Sequence, residues 1–173
     1  MAAAKLAGAD KINSDDYKAM GIALHYLGRD KEAAEQLNLG LRAANGGPDL
    51  FTAFWQHIVA KRSTDTPSQL EAEISREQGR EWPYPIGEML LGRISPEKLI
   101  DATASSDKGT QRDQKCEAYF YIGQRYLWEG RPEQARAAFE KSAALEIYPF
   151  AEYAYALHEL GRVKTSRPDK GGF

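Results

Sequence analysis

This chain of 173 residues has a single cysteine, Cys116, and only three histidines. One thiol cannot form an internal disulfide, so a disulfide framework is excluded. His25, His57 and His158 have no second His or Cys three or four residues further on, the local pairing that many metal sites show. We therefore expect no metal site and no cofactor, and we interpret the histidines as exposed or as lying at the edge of a groove.

Long apolar runs and a large net charge are also missing. No segment approaches the about 20 apolar residues of a membrane-spanning helix. The stretch Met1–Asp10 has neither an apolar core nor a cysteine, so we expect no secretory or lipid-attachment signal there. With 23 basic and 25 acidic residues, the chain carries no basic stripe of the kind that binds nucleic acid. We therefore expect neither a membrane span nor a nucleic-acid partner.

No arrangement of residues predicts catalysis. The segment Lys115-Cys116-Glu117 would place the thiol near the start of a helix, where a thiol pKa can fall. A small packing residue is the simpler interpretation of Cys116. No Ser-His-Asp arrangement has local support, and the glycines are spaced as helix terminators rather than as a phosphate-binding loop. We therefore predict that the chain is not an enzyme.

An internal repeat is the strongest positive feature of the sequence. Two segments have the same spacing of large, small and glycine residues, and they are offset by 102 residues, which is three periods of 34. A period of 34 residues is that of the tetratricopeptide repeat, a pair of antiparallel helices. The first segment carries Tyr17, Met20, Gly21, Leu24, Gly28, Arg29, Ala33 and Leu37, and the second carries Tyr119, Ile122, Gly123, Tyr126, Gly130, Arg131, Ala135 and Phe139.

Each position of the repeat has a physical role. Gly123 lets a neighbouring helix approach closely, and Phe139 of that helix fills the space. Gly130 ends the first helix, because glycine adopts the left-handed conformation without strain. Pro132 suits the first turn of the second helix. In the first segment, Asp30 is the predicted N-cap of the second helix.

The repeat signal fades between the two segments. Trp82-Pro83-Tyr84-Pro85 cannot lie inside a helix, and we interpret it as a rigid turn whose aromatics cover an edge of the repeats, the alternative being a proline-rich ligand. Ser95 and Pro96 form a typical helix start. The predicted helices of this region and of the C-terminal part are Pro48–Arg62, Thr66–Gln78, Ile86–Leu91, 96–104 and Pro149–Leu160, with a polar loop at Ser105–Gly109 and a helix end at Gly161.

The predicted fold is all-α, with tetratricopeptide-type helical hairpins stacked as a short right-handed superhelix. We expect one helical-repeat domain over residues 1–164, with clear repeats near 14–47 and 116–149 and degenerate repeats between them. The helix at 149–160 would cap the exposed edge of the preceding pair. Residues 165–173 are expected to form a disordered tail.

The candidate binding site is the groove lined by the first helix of each pair. The helical register assigns seven residues to it. A clamp for a C-terminal carboxylate is not expected, because Ile22 rather than an asparagine follows Lys18 by one turn. The alternative interpretation of Phe120, Tyr121 and Trp128 is packing against the neighbouring repeat. The candidate groove residues are Lys18, Ile22, His25, Phe120, Tyr121, Gln124 and Trp128.

Four segments, in this order and at these separations, resemble the NlpI-type bacterial lipoproteins. They read GIALHYLGRDK at Gly21–Lys31, LGRIS at Leu91–Ser95, YFYIG at Tyr119–Gly123 and FAEYAYALHEL at Phe150–Leu160. Each motif is only moderately specific, but the combination is much more so. The resemblance covers most of the chain, from about residue 15 to residue 161.

The resemblance implies a dimeric, all-helical adaptor that brings peptidoglycan hydrolases and a processing protease together. Members of that family are tethered to the outer membrane and face the periplasm. This sequence lacks the lipid-bearing N-terminus and begins inside the family's repeat region, so a periplasmic or outer-membrane-attached location is expected only if an N-terminal portion is missing. The alternative function is a structural homodimerisation module without a separate partner.

Overall fold

The computed structural model describes residues 12–44, 47–62, 67–148 and 150–165, and within these ranges it contains nine α-helices and no β-strand. The all-α prediction is therefore confirmed. The predictions for Met1–Asp10 and for most of the 165–173 tail fall outside the described residues. None of the described helices is long and apolar enough to cross a membrane. The helices are α1 (Ser14–Tyr26), α2 (Asp30–Ala43), α3 (Leu50–Arg62), α4 (Leu70–Arg76), α5 (Tyr84–Leu90), α6 (Pro96–Asp101), α7 (Lys108–Trp128), α8 (Pro132–Ala143) and α9 (Ala151–Thr165).

The chain divides into two compact units between Gln69 and Leu70. Unit 1 contains α1 to α3, and unit 2 contains α4 to α9. The stacking of the hairpins as a right-handed superhelix and the single domain over residues 1–164 stay predictions.

The helical hairpin of unit 1 is formed by α1 and α2. Gly28 ends α1 in the left-handed conformation, with φ of +74°, and the Arg29 N–H donates to the Leu24 carbonyl at 2.9 Å. Within the hairpin the helices approach closely at Gly21, where an added Cβ would lie 2.5 Å from Leu37 Cγ. The third helix, α3, packs against both α1 and α2.

The hairpin formed by α7 and α8 in unit 2 has the same design. Gly130 ends α7 with φ of +70°, and Pro132 is the first residue of α8, as predicted. A Cβ added to Gly123 would lie 2.6 Å from Cδ1 of the fully buried Phe139 ring. The predicted close approach at Gly123 is thus confirmed. A third helix, α9, packs against both α7 and α8.

Three short helices precede α7 in unit 2. Ser95 caps α6 by accepting from the Lys98 N–H at 3.3 Å, and Pro96 occupies the first turn, both as predicted. The predicted boundaries of the other short helices were less accurate. α5 begins at Tyr84, because Pro85 is tolerated in a first turn. The other corrections are that α3 begins at Leu50, α4 runs only over Leu70–Arg76, α6 ends at Asp101 and α7 begins at Lys108, while the predicted helix starts at Thr66 and Pro149 lie outside the described residues.

Two predicted helix boundaries were wrong for informative reasons. Asp30 is the first residue of α2 rather than its N-cap, and its carboxylate lies 2.6 Å from Nδ1 of His25. Gly161 does not end the last helix, which continues to Thr165. A glycine weakens a helix interior by only about 1 kcal/mol, so it ends a helix only where the following chain has somewhere to pack.

Candidate functional site

Three of the four groove residues predicted on α7 are buried. Phe120, Tyr121 and Gln124 are fully buried within unit 2. The Phe120 ring lies 6.0 Å from that of Phe139 on α8 and 5.9 Å from that of Tyr155 on α9. These residues therefore do not line an open groove wall, because α9 packs along α7 and covers them. Phe120 packs instead against α8 of its own hairpin and against α9.

Polar side chains line the contact between α7 and α9. Gln124 Nε2 donates to Glu159 Oε1 at 3.0 Å, and the Tyr121 hydroxyl donates to Glu152 Oε1 at 3.5 Å. Both carboxylates are buried. Burial raises the pKa of Tyr121 well above its ordinary value, and the negative charge of Glu152 raises it further. These groups join two helices and face no open space, so they form a structural seam.

Glu117 lies at one end of this seam and has a strongly perturbed carboxyl group. Trp82 Nε1 donates a hydrogen bond to Glu117 Oε2. Burial raises the pKa of Glu117 to about 7, and this hydrogen bond opposes the rise, while the charges of Glu152 and Asp113 add to it. Near neutral pH, Glu117 is therefore a mixture of the charged and neutral forms.

Cys116, next to Glu117, is a packing residue. It lies well inside α7 rather than at a helix start, and its Sγ is 3.4 Å from Ser142 Oγ on α8. Burial raises the pKa of the thiol, so the alternative of a lowered thiol pKa was wrong. The Trp82–Pro85 segment also packs inward, with Tyr84 buried and its hydroxyl accepting from Arg80 Nη1 at 2.6 Å.

The groove residues predicted on α1 belong to unit 1 and are also largely buried. Ile22 and His25 are core residues, and the His25 ring packs edge-on against Trp55 at 6.2 Å. Lys18 is half-buried and pairs with Asp15 at 2.7 Å. Two of the three histidines thus contradict the prediction of exposed or groove-edge positions, because His57 is buried as well, with its Nδ1 2.7 Å from Ser68 Oγ. His158 is exposed, as expected.

Of the four groove residues predicted on α7, Trp128 is the one with exposed surface. It is the last residue of α7 and is half-buried. The groove residues predicted on α7 therefore consist of three residues in the core of unit 2 and one partly exposed ring. A partner could reach Trp128 on the folded unit, but not Phe120, Tyr121 or Gln124.

An open cavity lies on another face of α7, between α6 and α8. We call it the trough; its volume is about 440 Å³, within the range of about 300–1,000 Å³ usual for ligand sites. α6 has six residues and α7 has 21, so at 1.5 Å per residue α6 is only about 9 Å long beside a helix of about 31 Å. The floor of the trough is Tyr119, Ile122 and Tyr126 of α7, and its walls are Pro96, Glu97, Ile100 and Asp101 of α6 and Gln134, Ala137, Ala138 and Lys141 of α8.

The residues that line the trough carry charges of both signs. The α6 wall carries two carboxylates, Glu97 and Asp101, and the α8 wall carries Lys141. The Lys141 ammonium also lies 5.4 Å from the ring centre of Tyr119, and the Arg131 guanidinium lies 4.2 Å from that of Tyr126. The trough therefore combines an aromatic and aliphatic floor with a rim of mixed charge.

The sequence shows that Tyr119, Ile122 and Tyr126 share one helix face, but not that this face is partly open. This face is partly open because α6 is short. The sequence signal for a short α6 was the brief interval between the helix start at Ser95 and the polar residues after Ala104.

The described ranges contain no group of three or more His, Cys, Asp or Glu side chains that could hold a metal ion. No protein-family model matches the chain.

Proposed function

We propose that this chain is a non-catalytic protein-binding adaptor built from tetratricopeptide-type hairpins, and that the trough binds the partner. The observation that carries the proposal is the open trough of about 440 Å³ with two tyrosines in its floor. Tyrosine rings bury a large apolar area while their hydroxyls remain able to hydrogen-bond, which suits the centre of a protein interface. The rim charges would orient the partner.

The resemblance to NlpI-type lipoproteins supports a more specific role. In this role the partners are peptidoglycan hydrolases or a processing protease, and the site of action is the periplasm. The repeated hairpin design of α1–α2 and α7–α8 is compatible with that family's scaffold. The proposed binding surface is the trough rather than the face of α7 that α9 covers.

A blocked trough tests the proposal directly. Ala137 is exposed on the α8 wall, so Ala137→Trp would fill the trough without disturbing the core. Ala72→Trp on α4 is the matched control, because it adds the same ring at another exposed helical position. The experiment captures partners from a bacterial envelope extract and then repeats the binding with the purified partner.

The expected result is a hydrolase or protease that binds the wild type and Ala72→Trp but not Ala137→Trp. If Ala137→Trp binds as well as the wild type, the trough is not the site. If no purified hydrolase or protease binds any of the three proteins, the adaptor role is wrong.

Self-association is the alternative function, and two side chains favour it. Leu27 and Tyr148 are 71% and 75% exposed, which is high for large apolar residues. A homodimerisation module predicts that the mass measured by light scattering rises from that of a monomer to that of a dimer as the protein concentration increases. It also predicts that Leu27→Lys or Tyr148→Lys abolishes the increase while Ala137→Trp has no effect on it.

A further inference from the structure

The two helices that form the walls of the trough contribute different charges to it. α6 contributes two carboxylates, Glu97 and Asp101, and α8 contributes one ammonium group, that of Lys141. Lys98 lies between the two acids in the sequence but does not line the trough. The side chains that line the trough therefore carry two negative charges and one positive charge.

The two carboxylates of the α6 wall are not neutralised by neighbouring bases. In the part of the chain that the structure describes, neither of them forms an ion pair, and the arginine that acts on Glu97, Arg131, pairs instead with Glu129 at 3.1 Å. Hydrogen bonding from the Ser95 hydroxyl lowers the pKa of Glu97, and the positive charge of Arg131 adds to this effect. Glu97 is therefore charged at neutral pH and available to a basic group from outside.

The spacing of the two acids suits a single guanidinium group. Glu97 and Asp101 are four residues apart in the helix α6, so they lie on one face with Cβ atoms about 6 Å apart. Both side chains are exposed, so a partner reaches them without any opening of the fold. A guanidinium carries five donors in a rigid plane and can contact two carboxylates at once, whereas the ammonium of a lysine acts as a point charge.

The floor of the trough suits the remainder of an arginine side chain. Ile122 is a buried floor residue, and Ile100 on the α6 wall is half-buried. The methylene groups of an arginine pack on such apolar surface while its charged end stays at the rim. Each floor tyrosine already lies beside a cation of the protein itself, so we expect the carboxylates rather than the rings to hold an incoming guanidinium.

We propose that the trough binds a segment of a partner protein that carries an arginine next to an apolar residue. The guanidinium lies between Glu97 and Asp101, and the apolar side chain packs on Ile100 and Ile122. The excess of negative charge in the lining favours a basic segment over an acidic one. This inference rests on the proposed function of the trough and adds the chemistry of the segment that it binds.

Two capped peptides of five residues are the probes. The first has the sequence Ala-Leu-Arg-Leu-Ala, and the second has citrulline in place of arginine, which keeps the shape of the side chain and removes its charge. Each peptide is titrated into the full chain, and backbone amide shifts are followed by NMR. We expect saturable shifts in α6 and α7 with the arginine peptide, and about five-fold weaker binding of the citrulline peptide for the loss of two exposed charge pairs.

A double variant identifies the groups that recognise the charge. Glu97→Gln/Asp101→Asn should bind the two peptides equally, with the affinity that the wild type has for the citrulline peptide. Glu35→Gln/Glu133→Gln is the matched control, because it removes two exposed carboxylates that do not line the trough. The control should keep the five-fold difference between the peptides. Circular dichroism verifies the folding of both double variants.

Three results with the peptides would overturn the proposal. The first is equal binding of the two peptides to the wild type, and the second is no saturable binding of the arginine peptide. The third is a control variant that loses the difference as well, because the general charge of the chain would then explain it. A dimer of the wild type that Glu97→Gln/Asp101→Asn dissociates would also overturn it, since a second copy of the chain would supply the arginine.

A partner captured from the envelope extract separates this proposal from the proposed function. If the partner binds Glu97→Gln/Asp101→Asn as well as the wild type but does not bind Ala137→Trp, the trough is the site and only the arginine is wrong. If Ala137→Trp binds the partner as well as the wild type, both proposals are wrong. Loss of binding in both variants, with the control unaffected, is the result that we expect.

Discussion

The hairpin of α1 and α2 in unit 1 and the hairpin of α7 and α8 in unit 2 use one backbone design with different side chains. In each, a glycine on the first helix lets the second helix approach, but Gly21 receives the aliphatic Leu37 and Gly123 receives the ring of Phe139. The third helices differ more. Every residue of α3 from Thr52 to Val59 is buried, whereas the contact of α9 with α7 includes two buried carboxylates. The hairpin geometry is thus shared, and each unit is distinguished by what its third helix contributes.

The largest expected effect comes from removing the large residue that faces each glycine. Phe139→Ala should lower the free energy of unfolding by about 4 kcal/mol, because it leaves a ring-sized cavity in the core of unit 2. Leu37→Ala in unit 1 should cost about 3 kcal/mol for the smaller group it removes. Urea denaturation followed by circular dichroism measures both. A larger loss for Leu37→Ala would show that side-chain volume does not decide the difference between the hairpins.

Removal of the charge of Glu117 should stabilise unit 2 in a pH-dependent way. The pKa of this carboxyl is about 7 in the folded chain against an ordinary value of 4.5, so the folded state binds more protons between these values and stability falls as pH rises from 4.5 to 7. Glu117→Gln should match the wild type near pH 4.5 and be about 3 kcal/mol more stable at pH 8, since glutamine still accepts from Trp82. Thermal unfolding across this range, with Glu133→Gln on the surface as control, measures the effect. A constant difference at all pH values would contradict it.

Closing the space at a glycine should be intermediate in effect. Gly123→Ala places a Cβ against Phe139 and should cost about 2 kcal/mol after the gain in helix propensity. The double variant Gly123→Ala/Phe139→Ala should cost less than the sum of the single changes, because the new methyl group enters the cavity. Strict additivity in urea denaturation would mean that the two residues are not packed as described.

The smallest expected effects have opposite signs at two glycines, Gly28 and Gly161, each of which lies between a leucine and an arginine. Gly28→Ala should destabilise unit 1 by about 1 kcal/mol, because alanine is strained at φ of +74°. Gly161→Ala should stabilise α9 by somewhat under 1 kcal/mol, because it lies in a helix with no atom near its Cβ position. Melting temperatures of the two variants make the comparison. Destabilisation by Gly161→Ala would show that α9 turns at this glycine in solution.

The residues that the sequence predicts well are those whose role is local. Gly28, Gly130 and Pro132 act through backbone conformation within a few residues, and the spacing to Phe139 follows from helix geometry. Asp30 was misread because its carboxylate has a competing partner in His25, which lies five residues earlier and on another helix. Local chemistry favours a cap, and the contact between the two helices favours the hydrogen bond with His25.

The candidate site was harder to predict, because helical periodicity tells which residues share a face but not which helix covers that face. Phe120, Tyr121 and Gln124 were assigned to an open groove, yet α9 packs along them. The face with Tyr119 and Tyr126 was not predicted as a binding surface, and it lines the trough. Both differences depend on the lengths and positions of neighbouring helices, which a single-helix pattern does not contain.

The seam between α7 and α9 also determines how freely this unit could change during evolution. Gln124 pairs with Glu159 and Tyr121 with Glu152, so the partners advance along both helices in the same direction. Sliding α9 by one helical turn would move both buried carboxylates about 5.4 Å away from Gln124 and Tyr121, and losing a buried hydrogen bond is costly. An apolar seam would tolerate such a slip. The two hydrogen-bonded pairs therefore fix the spacing of Glu152 and Glu159 along α9. Insertions or deletions between these two residues should be less well tolerated than those before Glu152 or after Glu159.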